Sequence, residues 1–287
     1  MSTKGEVKIK HQEGFFKGTH DDNIYHQSWL PEGETKAVLI IVHGLAEHSG
    51  RYTNVVNHFV ALGYAVYGLD HRGHGQSDGT RVYVDRFNDF IDPLKRYLDM
   101  VRGWQPDQPI FLMGHSMGGL ISVAYLLEYQ SELKGVVLSA PSIKVPDNIS
   151  ATTIFVAKVL SRLVPKFPMA RLEVDDVSRD PNVVQAYVND PLVHVGKVTA
   201  RLGAELLKAM QRVTAEVVKI SLPILIVQGA QDRLVKPAGA QMLHTTIGST
   251  DKEIKIYQGL YHELFNEPEH SQVLGDVEAW LEARITF

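Results

Sequence analysis

Apolar residues fall along the chain in short unbroken runs that alternate with stripes at helical spacing. KAVLIIV (36–42) is nearly continuous, as expected of a strand covered on both faces, and His43-Gly44 ends it. Tyr52 to Leu62 then puts Val55, Val56, Phe59 and Val60 on one helical face, with Gly63 as a stop. Tyr64 to Leu69 is the next strand, and Phe87 to Val101 predicts a helix through Phe90, Ile91, Leu94, Leu98 and Val101. A strand from Ile110, a helix through Leu120 to Leu127 and a strand from Leu133 to Leu138 follow. This alternation from Lys36 to Pro141 predicts an α/β fold with a mainly parallel central sheet flanked by helices. Two polar-rich strands precede it, near Glu6 to Phe16 and Asn23 to Trp29, joined by the turn-like Thr19-His20-Asp21-Asp22. Strands at Pro223 to Val227 and Glu253 to Tyr257 resume the pattern. A helix from about Glu269 to Arg284, built on Val273, Leu274, Val277, Trp280 and Leu281, closes it.

Between Ser142 and Leu222 the rhythm breaks. Helical spacing recurs at Ile154, Phe155, Val159, Leu160 and Leu163, and again at Val198, Leu202, Leu206, Leu207 and Met210, with no strand run. Prolines at 146, 165, 168, 181 and 191 cut the stretch into short pieces. A structureless loop of this length is unusual in a compact domain. The segment is therefore expected to be an inserted helical cap, or lid, over one end of the sheet. That divides the chain into a core of residues 1–141 and 222–287 and a cap of residues 142–221. Further crossover helices within a single domain are the plainer alternative.

Composition narrows the function. The chain has 287 residues, a formal net charge of -4 and no cysteine. It can bury one large core and offers no basic surface for nucleic acid. Disulfides, thiolate catalysis and cysteine-ligated metals are excluded. His71 and His74 lie three apart without an evident third ligand, HExxH is absent, and no GxGxxG follows the first strand, so neither a metal nor a dinucleotide cofactor is expected. No apolar N-terminal run follows a basic segment and no stretch approaches 18 uncharged apolar residues, which predicts a cytoplasmic protein with at most a peripheral membrane association.

The candidate chemistry centres on IFLMGHSMGG (110–119), a strand, a Gly-x-Ser-x-Gly turn and a helix, the arrangement of a nucleophile elbow. Gly114 and Gly118 leave room at a tight turn for Ser116 to stand exposed. A serine hydroxyl needs a base, and the base needs an acid to hold its tautomer and stabilise its charged form. Asp232 follows the strand-like PILIV, and His262 follows EIKIYQG, so both fall in crossover loops at the edge of the sheet that carries Ser116. The order Ser, Asp, His suits such a sheet. Two backbone N–H groups should stabilise an oxyanion, that of Met117 after the nucleophile and that of Leu45 in the loop after the early strand. His43, at a strand end, is expected to brace this loop.

HGLAEHSGRY (43–52), YGLDHRGHGQSDG (67–79), GHSMGG (114–119) and the Asp232 and His262 segments together resemble the monoacylglycerol lipase, or lysophospholipase-like, family of the α/β-hydrolases. The resemblance spans nearly the whole chain and is weakest in the cap. It implies cleavage of a fatty-acyl glycerol ester through an acyl-serine, without cofactor, under a cap that touches membrane or micelle. It assigns the catalytic roles to Ser116, Asp232 and His262 and the oxyanion donors to Leu45 and Met117. Glu47 and Arg51 match positions that organise the glycerol side of such sites; the plainer reading of this i, i+4 pair is a helix-surface contact worth ~0.3 kcal/mol. Phe265 stands where mammalian members have a histidine on the alcohol side, which leaves lysophospholipids and simple carboxylic esters open as substrates. A non-catalytic binding protein on this fold is the remaining class, and the complete Ser–Asp–His set argues against it.

Overall fold

The computed structural model describes residues 9–145, 151–171 and 173–285. Glu6 at the start of the first expected strand, Pro146, and the side chain of Ile154 lie outside what is described. In chain order the strands are β1 (Lys10–Lys17), β2 (Asn23–Leu30), β3 (Ala37–Val42), β4 (Tyr64–Leu69), β5 (Ile110–His115), β6 (Gly135–Ser139), β7 (Pro168–Arg171), β8 (Lys197–Thr199), β9 (Ile224–Gly229) and β10 (Lys252–Tyr257). The helices are α1 (Thr53–Ala61), α2 (Asn88–Trp104), α3 (Met117–Tyr129), α4 (Ala151–Leu163), α5 (Pro181–Asn189), α6 (Ala200–Glu216), α7 (Pro237–Thr246) and α8 (His270–Ile285).

Eight strands form one sheet in the order β1-β2-β4-β3-β5-β6-β9-β10. The β1–β2 and β2–β4 pairs are antiparallel and the others parallel. Every residue of β3, β4, β5, β6 and β9 is buried, which is why these segments read as apolar runs rather than as alternating patterns. Leu39, Ile41, Phe111 and Met113 pack under Val55 and Phe59 of α1 and Val273 and Trp280 of α8. Ile40, Leu112, Val136 and Leu138 face the opposite side, in a cluster with Phe90 and Leu94 of α2, Leu120 and Val123 of α3, and Leu243 of α7. Each such side chain contributes roughly 1.5–3 kcal/mol of burial, so the sheet holds its strand ends in fixed positions.

The insertion differs from the all-helical expectation. Its segments β7 and β8 pair antiparallel as a separate two-stranded sheet. Strands of four and three residues, one opening on Pro168, are too short to show a period of two. Pro181 opens α5 behind Asp180, whose side chain accepts from the Asn182 N–H. Leu202, Met210 and Val213 of α6 join the main core, and α6 also packs against α3 and α4, so one helix both closes the core and carries the cap. With β6 leading into this insertion and β9 leaving it, the architecture is that of an α/β-hydrolase with an inserted helical cap.

Candidate active site

Ser116 lies between the last residue of β5 and the first of α3, with φ 53° and ψ -116°. A non-glycine residue in that region costs of order 1–3 kcal/mol and needs its surroundings to hold it there. The Ser116 N–H donates to the Ser139 carbonyl at 2.9 Å, and the Ser116 carbonyl accepts from the Ser142 N–H at 3.0 Å. A Cβ on Gly118 would run into the carbonyl oxygens of Val42 and His43, so α3 can start this close to β3 only with glycine there.

The serine opens into a cavity of about 120 Å³. Gly44, Leu45, Met117 and His262 of the core line it together with Val177, Tyr187 and Leu206 of the insertion. His262 Nδ1 lies 2.8 Å from Asp232 Oδ2. With Nδ1–H directed at the carboxylate, Nε2 is left as the basic nitrogen. Asp232 is held on every side: Oδ1 accepts from the Leu234 and Val235 N–H groups at 2.9 and 2.8 Å, and Oδ2 also accepts from Gln228 Nε2 at 2.9 Å. Burial alone would raise the Asp232 pKa, but the His262 charge and hydrogen bond, with those from Val235 and Gln228, hold it below the ordinary carboxylate value. Burial likewise pulls His262 down, yet Asp232, Glu263 and Glu47 outweigh it and leave the imidazole more basic than usual. The neighbouring His115 ring lies 4.6 Å from that of His262, and burial, with His262 beside it, lowers its pKa to about 3. His115 is therefore neutral near pH 7.

Leu45 and Met117 both border the cavity. Met117 is the first residue of α3, so its N–H has no acceptor within the helix. The Leu45 loop is fixed by the Gly44 N–H, which donates to Glu47 Oε1 at 2.6 Å, and by Ala46, which turns the chain at φ 69°. His43 braces the loop as expected: its Nδ1 lies 2.7 Å from the Gly44 carbonyl, and its Nε2 accepts from the His71 N–H at 2.9 Å.

Glu47 and Arg51 are not a helix-surface pair. Arg51 ends a single 3-10 turn, and its side chain is only 9% exposed. It makes a bidentate pair with Glu263, at 2.6 and 2.8 Å, and a longer contact of 3.3 Å to Glu47. Tyr187 covers its guanidinium at 4.4 Å. Glu47 lines the cavity; Arg51 sits behind it. Phe265 is buried in the cluster under α1 and α8 and borders a small recess with Tyr52 and Asn266, whose other walls, Glu47, His115 and Glu263, also line the cavity that holds Ser116. Sequence reasoning missed Glu263, Gln228, His115 and Tyr187. The first three lie within four positions of a singled-out residue, which was the one available signal; Tyr187 carried none.

A serine at a strained strand–helix turn on this sheet topology places the protein among the serine hydrolases of α/β-hydrolase fold. A family model described as "Serine aminopeptidase, S33" matches residues 33–269. The monoacylglycerol lipase of Mycolicibacterium smegmatis is 40% identical over 275 residues, 96% of this chain and 98% of the relative. Human monoglyceride lipase is 34% identical over 264 residues, 91% of this chain and 87% of the relative. The crystal structure of Paleococcus ferrophilus monoacylglycerol lipase superposes with a TM-score of 0.80 at 28% identity, covering 97% of this chain and all of that one. The chain belongs to the monoacylglycerol lipase family and is a serine esterase.

Proposed function

We propose that the protein hydrolyses the fatty-acyl ester of monoacylglycerols, with Ser116 as nucleophile, His262 as base and Asp232 as its orienting acid. The observation that carries the reading is the 2.8 Å bond between Asp232 and His262 at the edge of a cavity shared with Ser116 and roofed by apolar residues of the insertion. His262 Nε2 takes the Ser116 hydroxyl proton as Oγ bonds to the ester carbonyl carbon, and the carbonyl oxygen gains the negative charge between the Leu45 and Met117 N–H groups. The intermediate collapses by breaking the bond to the glycerol oxygen, which receives the proton from His262. Water, deprotonated by the same nitrogen, then attacks the acyl-Ser116 ester and releases the fatty acid.

Residues 142–221 act as the cap. The cavity of about 120 Å³ is smaller than the ~300–1,000 Å³ of pockets that enclose a drug-sized ligand, so a long acyl chain requires the cap to yield. Phe155 and Leu163 of α4 and nearby Phe167 are exposed and apolar, at 67%, 75% and 48%, and Lys158, Arg162 and Lys166 are exposed among them. Such a face suits peripheral contact with an anionic lipid surface. One kinetic panel tests the reading: 1- and 2-monoacylglycerols, p-nitrophenyl esters, a lysophospholipid and a triacylglycerol. Monoacylglycerols should lead, and triacylglycerol should be poor because a covered site admits one chain more readily than three. A lead for acetyl over decanoyl esters, both kept soluble, would remove the lipid assignment.

A further inference from the structure

Ester hydrolysis by Ser116, His262 and Asp232 has no need of a second acid beside the base, yet Glu263 lies there, buried and lining the cavity. Glu47 lines the same cavity from the Leu45 loop. One guanidinium serves both carboxylates: Arg51 meets Glu263 Oε1 at 2.6 Å and Oε2 at 2.8 Å, and Glu47 Oε2 at 3.3 Å. Tyr187 stacks over that guanidinium, so its charge is not presented to the cavity. Asn266 Nδ2 donates to Glu263 Oε2 at 2.9 Å, while Gly44 and Tyr52 donate to Glu47 Oε1. Among the described residues this leaves Glu263 Oε1 and Glu47 Oε2 with one acceptor position each. Glu263 holds the guanidinium bidentately at the shorter distances, so it carries most of the neutralisation and Glu47 the lesser part.

We propose that Glu263 is a specificity-determining residue: with Glu47 it consumes the charge of Arg51 and makes the polar end of the site an acceptor surface for an uncharged diol, so that esters whose alcohol carries a phosphate are rejected. The proposal rests on the monoacylglycerol reading and deepens it. The two free hydroxyls of a monoacylglycerol donate hydrogen bonds, and two carboxylate oxygens accept them. A phosphate can only accept, and it would enter a desolvated site in which no described cation remains unpaired, at a cost that disfavours it through repulsion rather than lost contact.

The test compares two esters with the same acyl chain, 1-monooleoylglycerol and 1-oleoyl-glycerol-3-phosphate, both below their aggregation limits, by kcat/KM. The wild-type protein should favour the glycerol ester by about a hundredfold or more. Glu263→Gln keeps an acceptor for Arg51 but removes the charge, and it should lower that ratio at least ~tenfold. A ratio that stays unchanged in the variant, or equal losses on both esters, would overturn the proposal and make Glu263 a purely structural partner of Arg51. Should the variant fail to fold, Glu263→Asp, which keeps the charge but withdraws it from the bidentate pair, is read in its place: a lowered ratio sustains the proposal and an unchanged one overturns it, as does a wild-type ratio within about threefold. Hydrolysis of p-nitrophenyl decanoate without cleavage of either glycerol ester would bring down the monoacylglycerol reading and this proposal with it. Comparable cleavage of both leaves the first standing and sinks only the second.

Discussion

Lowering the pH from 7 to 5 should strip the native state of much of its stability, and the cause lies in the loops around the serine. His43, His74 and His115 are at most 4% exposed, and burial, the largest influence on each, lowers the pKa of all three to about 3. His71, packed against His43 with ring centroids 4.3 Å apart, is lowered as well. In the unfolded chain the same imidazoles titrate near 6.5. Their folded pKa values are depressed, so below pH 6.5 the unfolded chain binds protons that the native state refuses, and stability falls with pH. At pH 5 the three native rings are still neutral while their unfolded counterparts are protonated, which costs about 2 kcal/mol per ring relative to pH 7, or about 6 kcal/mol in all. That is a large part of the roughly 5–15 kcal/mol that keeps a domain folded. His262 acts in the opposite direction, because its raised pKa lets the native state hold a proton more tightly, and it offsets part of the loss. Asp232, with a lowered pKa, contributes stability that is present at both pH 7 and pH 5 and is lost only as the pH falls into and below the carboxylate range, so it stays outside this window. Urea unfolding at pH 7, 6 and 5, at constant ionic strength, measures the effect. His74→Asn should flatten the dependence by about 2 kcal/mol across the window. A wild-type unfolding free energy at pH 5 within about 1 kcal/mol of that at pH 7 would refute the account.

Ser116→Ala should lower esterase kcat ~10^3-fold or more with the thermal midpoint little changed, and Asp232→Asn should be similarly severe; a rate within tenfold of wild type removes either residue from the proposed mechanism. Because His262 is more basic than usual and must be neutral to act, the acid limb of kcat/KM should have its midpoint above 6.5, and a midpoint below it would contradict the charge environment described. Arg51→Ala leaves Glu47 and Glu263 buried without their cation and should destabilise the fold by ~3–5 kcal/mol, lowering turnover of glycerol and p-nitrophenyl esters alike; thermal unfolding reads the first effect and parallel kinetics the second. Replacing Phe155 and Leu163 by serine should weaken binding to anionic vesicles while turnover of a soluble short-chain ester holds, and unaltered vesicle binding would show that α4 is not the contact face.

What the sequence determined by itself was whatever depends on near neighbours. Fully buried strands announce themselves as apolar runs, and Ser116 and Asp232 could be singled out because each follows such a run, while His262 follows the partly buried, alternating strand β10. The Leu45 loop was legible for the same reason, since it follows β3. Tertiary structure decided the rest. Glu47 and Arg51, four apart, look like a helix pair, but Arg51's stronger partner is Glu263, 212 positions away, and no local pattern encodes a contact between two loops that the sheet brings together. The resemblance places Phe265 on the alcohol side, and only the fold shows that it packs into the core under α1 and α8 beside a recess shared with Glu47 and Glu263. The short strands β7 and β8 and the two-sided packing of α6 were hidden because three or four residues carry no period, and because an apolar stripe does not say which of two surfaces it will cover. Periodicity reports that a side chain is buried; only the assembled fold chooses its neighbours, and in this protein those neighbours set the charge of the cavity.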